Sequence, residues 1–82
     1  MNYLEHLILN GNAIKNIELG TFNGLDKLRD LHISANNIVS ILPKTFEYLN
    51  TLEKLDLSQN SLESIDYGIF EGLHALEILD LR

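Results

Sequence analysis

The sequence predicts an α/β repeat, a solenoid in which short parallel strands stack side by side and return through mostly irregular or single-turn segments. Three observations carry this. Sliding the chain against itself by 24 residues brings its apolar positions into columns. Each unit opens with a Leu-x-x-Leu-x-Leu/Ile run, whose later positions alternate with polar residues as a half-buried strand requires. The stretch from one run to the next is too short and too mixed to hold a helix of its own.

Taken in order, the units open on Leu4, Leu28, Leu52 and Leu76, followed by Leu7, Leu31, Leu55 and Leu79 and then by Leu9, Ile33, Leu57 and Leu81. Asn12, Asn36 and Asn60 come next, then Ile14, Ile38 and Leu62. Each return segment carries Ile17, Ile41 or Ile65 and closes on Phe22, Phe46 or Phe70 and on Leu25, Leu49 or Leu73. Gly20, Gly24, Pro43, Gly68 and Gly72 all fall in the return segments, where turns are needed and a strand ladder would suffer. No linker or composition shift interrupts the period. The chain therefore reads as one array over 1–82, with repeats at 4–27, 28–51 and 52–75 and a partial repeat at 76–82.

Asparagine in the turn after each strand has a structural explanation. Such turns leave backbone N–H and C=O groups buried, and a carboxamide both donates and accepts. Asn12, Asn36 and Asn60 are accordingly expected to form a structural ladder.

Composition narrows the function classes. A formal charge of −6, with only six Lys and Arg, opposes an electrostatic footprint for nucleic acid or anionic lipid. No apolar run reaches membrane-spanning length, so the segment is not expected to insert in a membrane directly, and no secretory signal is read near Met1. The chain has no cysteine and thus neither disulfide nor thiolate metal site.

The pattern Leu4-x-x-Leu7-x-Leu9-x-x-Asn12-x-Ile14, its copies, and Phe22-x-x-Leu25 resemble the typical 24-residue class of the leucine-rich repeat family. The resemblance implies a horseshoe with its strands on the concave side and a role in recognition rather than catalysis. Members of this class are mostly extracellular or membrane-anchored, among them Toll-like receptors, Slit-type guidance proteins, adhesion molecules and matrix proteoglycans. It therefore implies a protein ligand or co-receptor, an extracellular or cell-surface setting and no cofactor. The alternative is an intracellular scaffold or regulatory domain of the same fold.

If the fourth and sixth positions of each unit point inward, the third, fifth and seventh point outward. The candidate binding face is then a grid of four rows: His6, Ile8, Asn10; Asp30, His32, Ser34; Lys54, Asp56, Ser58; and Ile78, Asp80, Arg82. Asp30 beside Lys54 and His32 beside Asp56 are expected cross-strand pairs, and Glu5, Arg29 and Glu53 form a similar column at the margin. Asp56 beside Asp80 needs a counter-charge, which Arg82 or a partner could supply. Ile8 and Ile78 are the apolar contact points, and the grid holds no aromatic residue. Tyr3 precedes the first unit, while Tyr48 and Tyr67 fall on return segments.

Other chemistries fit less well. His32, Asp56 and Asp80 could converge on a metal, but a flat strand face splays ligands apart. Ser34, Ser58, His32 and Asp56 have the residue types of a hydrolase without a pocket or oxyanion hole, so no catalytic residue is assigned. Finally, both ends of the array lack polar caps. One side of Leu4, Leu7, Leu9 and Phe22 is expected to face water at one end, while Leu76, Leu79 and Leu81 form a strand with no return path at the other. The segment is thus expected to be a fragment that stacks on neighbouring repeats or on itself.

Overall fold

The computed structural model describes residues 3–63 and 65–82, so Met1, Asn2 and Ser64 of the predicted array lie outside the described residues. Four strands of three residues form where the Leu-x-x-Leu-x-Leu/Ile runs fall: β1 His6–Ile8, β2 Asp30–His32, β3 Lys54–Asp56 and β4 Ile78–Asp80. They make one parallel sheet in the order β1-β2-β3-β4. The register pairs Leu7 with Leu31, Leu31 with Leu55 and Leu55 with Leu79, so the period of the sequence is the register of the sheet.

Main-chain bonding runs past these short strands on both sides. Before β1, β2 and β3, one carbonyl receives two amides of the next row: Glu5 from Arg29 and Asp30, Arg29 from Glu53 and Lys54, and Glu53 from Glu77 and Ile78. After each strand, the amides of Leu9, Ile33 and Leu57 donate to His32, Asp56 and Asp80 of the following row. Backbone groups in a thin coil have few other partners, so this continuation is what makes three-residue strands sufficient.

The core is the inward column. Leu28, Leu31, Ile33, Ile38, Phe46, Leu52 and Leu55 are fully buried, and Phe22 and Phe46 stack with ring centroids 5.7 Å apart. Burial fades toward the ends: Leu7 and Leu9 are half-buried, while Leu4, Leu79 and Leu81 are exposed. Phe22 departs from the expectation that it would face water. Only 4% of it is accessible, because its ring lies over Phe46 rather than outward.

A second departure lies in the return segments, which carry a single 3-10 helix, Tyr67–Phe70, among the described residues. Ile17 and Ile41 are buried as the column predicts, but Ile65 is 40% exposed, and the buried isoleucine of this segment is Ile69 at 1%. Asp66 caps the helix by accepting from the Gly68 amide at 2.8 Å, and the tight turn that follows carries Ile69 into the core. The equivalent residue one repeat earlier, Thr45, is also buried; its hydroxyl donates to the Leu42 carbonyl at 2.6 Å.

The turn after each strand passes through left-handed backbone at the same repeat position: Gly11 at φ 70°, Ala35 at 54° and Gln59 at 55°. Glycine suits this place because L-residues there meet a steric cost at Cβ. Gly72, at φ +88°, is tighter still, since a Cβ would fall 2.0 Å from the Glu47 carbonyl oxygen.

Candidate functional site

The asparagines stitch successive turns together. The Asn36 carboxamide donates to the carbonyls of Leu9, Ile33 and Ser34 at 3.0–3.1 Å and accepts from the amides of Asn12 and Ile14 at 2.8 and 3.0 Å. Asn60 repeats the arrangement on Ile33, Leu57 and Ser58 and accepts from the Ile38 amide. Asn12, in the first turn, reaches only Leu9 and Asn10 of its own coil. These bonds use all the donor and acceptor capacity of Asn36, which is 5% exposed.

With the turns held in this way, the strands present their outward side chains in rows. His6, Ile8, Asp30, His32, Lys54, Asp56, Ile78 and Asp80 occupy the first and last positions of the four strands, and all are at least partly accessible. Asn10, Ser34, Ser58 and Arg82 continue the rows beyond the strand ends, and Asn10 Oδ1 accepts from the Ser34 amide at 2.8 Å. Ile8 and Ile78 stand 66% and 54% exposed at opposite ends of the sheet, with the charged residues between them.

The charges pair differently from the simplest reading of the register. Asp30 turns to His6 in the preceding row, with Nδ1 to Oδ2 at 2.5 Å, and not to Lys54. A carboxylate in the middle of a column has a neighbour on each side, and here it takes the imidazole. Lys54 forms no ion pair among the described residues. His32 does face Asp56, at 3.8 Å, but the shorter bonds of Asp56 come from Ser58: the hydroxyl at 2.6 Å and the amide at 3.0 Å. Burial pushes the Asp56 carboxyl up, and the two Ser58 bonds more than offset it, so the group lies below the usual carboxylate range.

Asp80 is held by Arg82. Nε and Nη2 of the guanidinium donate to its two oxygens at 3.1 and 3.0 Å, and the Arg82 amide adds a third bond. These bonds lower the Asp80 carboxyl and raise the guanidinium, with Lys54 contributing a smaller field at Asp80. Arg82 therefore supplies the counter-charge that the Asp56–Asp80 neighbours require. At the margin, Arg29 Nη2 bridges both oxygens of Glu53 at 3.1 and 3.2 Å, which raises the Arg29 pKa.

No group of three or more His, Asp or Glu side chains among the described residues is arranged to hold a metal ion. Nor is any helix among them long and apolar enough to cross a membrane.

A recess of about 450 Å³ runs along the margin where the chain enters the strands, lined by Tyr3, Glu5, Lys27, Arg29, Asn50, Thr51, Glu53 and Ala75. Its signal in the sequence is the column Tyr3, Lys27, Thr51, Ala75, which directly precedes the four units at the same 24-residue spacing but shares no residue type.

Comparison with curated proteins returns no significant match. A family profile described as leucine rich repeat matches residues 1–38 and again 26–82, so the two matches together span the whole chain. The parallel sheet in strict register, the asparagine-tied turns and this match agree: the chain belongs to the leucine-rich repeat family.

Proposed function

We propose that this chain is a protein-recognition module of an extracellular or cell-surface receptor, adhesion or matrix protein, and that it binds a protein ligand through the outward strand face. Leucine-rich repeat domains generally mediate protein–protein interaction and are typically non-enzymatic. The observation that carries the assignment to this face is its construction. Twelve outward residues stand in four rows on a sheet whose turns are tied by side-chain bonds, so their spacing is set before a partner arrives. Preorganised surfaces lose little freedom on binding, and an extended sheet suits broad contact better than a small-molecule pocket.

The test uses a partner selected from a displayed library of folded domains. Ile8→Arg and Ile78→Arg each place a bulky charge on the strand face, and Leu19→Arg places one on a return segment. The strand-face variants are expected to weaken binding by about tenfold or more, the loss of one buried apolar contact. A partner that tolerates both and is lost on Leu19→Arg would move the site to the return side. The setting is tested by antibody labelling of the tagged, full-length product on intact cells. Surface signal is expected, and label reached only after permeabilisation would favour an intracellular scaffold.

A further inference from the structure

The outward rows lack what most binding faces use as anchors. Interface energy concentrates in a few aromatic and arginine residues seated in pockets, and the rows hold no aromatic side chain and one arginine, already committed to Asp80. The marginal recess supplies both types: Tyr3, which is 76% exposed, and Arg29, whose Nη2 alone is engaged by Glu53. Arg29 Nε and Nη1 make no further side-chain bond among the described residues, and Lys27, on the same wall, forms no ion pair there.

The lining charges limit what can bind. Lys27 and Arg29 face the recess together with Glu5 and Glu53, so the formal charge of the wall is zero. A simple anion would gain the two bases and meet the two acids. A ligand bearing both signs would meet complementary groups throughout. Length is limited as well. Tyr3 precedes β1 and Ala75 precedes β4, three row spacings apart, and at about 4.8 Å per row this is about 14 Å, the reach of about four extended residues.

We propose that the recess is the anchoring subsite of the binding face, and that it takes an extended segment of about four residues from the partner protein. The segment carries an acidic side chain for Lys27 and Arg29, a basic one for Glu5 or Glu53, and an apolar or aromatic side chain against Tyr3. The inference rests on the strand-face reading and names the part of that surface where affinity is concentrated.

A phage-displayed library of random linear peptides, panned on the whole immobilised 82-residue chain, tests it. Selected peptides are measured by biolayer interferometry against Tyr3→Ala, Lys27→Ala, Ile8→Arg and Leu19→Arg, each checked for unchanged circular dichroism. The expected result is a set of peptides bearing both charges whose affinity falls by about tenfold or more on Tyr3→Ala and Lys27→Ala and is unmoved by Leu19→Arg. Peptides lost on Ile8→Arg but indifferent to Tyr3 and Lys27 would overturn the subsite and leave the strand-face reading standing. Peptides sensitive only to Leu19→Arg would overturn both. A library that yields no specific binder would overturn the subsite.

Discussion

Asn36 places one carboxamide among three carbonyls and two amides from two successive coils, and removing it strands those groups in a buried turn. Asn36→Ala is expected to cost about 2–4 kcal/mol in urea unfolding, several unmade bonds partly relieved by water. Asn12→Ala, in the exposed first turn, is expected to cost about 1 kcal/mol. Equal losses at the two positions would show that the ladder does not depend on burial. The left-handed turn residues carry the opposite sign. Ala35→Gly and Gln59→Gly relieve the Cβ cost and are expected to raise stability by about 0.5–1 kcal/mol each. Asp56 links stability to acid. Its carboxyl lies lower in the folded chain than in the unfolded one, so its contribution is complete above the unfolded value, about 3.9, and is lost as pH falls through the folded value. Asp56→Asn should flatten the acid limb of the stability profile, measured as urea midpoint against pH, and an unchanged limb would assign it to other carboxylates. At this scale the asparagines were legible because one residue type recurs with the period. The pairing of Asp30 was not, since register supplies two neighbours and side-chain geometry chooses between them.

The third return segment shows where an element follows its local chemistry against the column. Asp66 and the turn it caps form the only 3-10 helix among the described residues; Ile69 is buried in the core, while Ile65, expected there, is 40% exposed. Ile69→Ala is expected to cost about 2–4 kcal/mol and Ile65→Ala less than about 1 kcal/mol, by thermal or urea unfolding. The reverse order would restore the simple column. The spacing does not mark this, because Ile65 falls in the apolar column of Ile17 and Ile41, whereas Ile69 falls in the column of Thr21 and Thr45. The register of the strands, by contrast, was legible, since inward leucines recurring every 24 residues leave a single register that buries one face. The marginal recess has no such pattern. Tyr3, Lys27, Thr51 and Ala75 share a position and no chemistry, so no column of like residues marks it in the sequence.

Over the whole molecule, burial is greatest in the middle rows and fades at both ends, where Leu4, Leu79 and Leu81 are exposed. Stability in such an array is a sum of neighbour contacts, so amides of β2 and β3 should exchange with deuterium more slowly than those of β1 and β4. Uniform protection would mean that the ends are covered by something else, such as a second copy. Across the sheet, the asparagine-tied coils fix the rows, and the outward side chains of the rows remain accessible. That the rows form the recognition surface is the central claim, and methyl cross-saturation from a selected, deuterium-free partner onto the labelled chain tests it most directly. Intensity loss is expected at the methyls of Ile8 and Ile78, with those of Leu19, Val39 and Leu42 unaffected. Loss confined to Leu19, Val39 and Leu42 would contradict it.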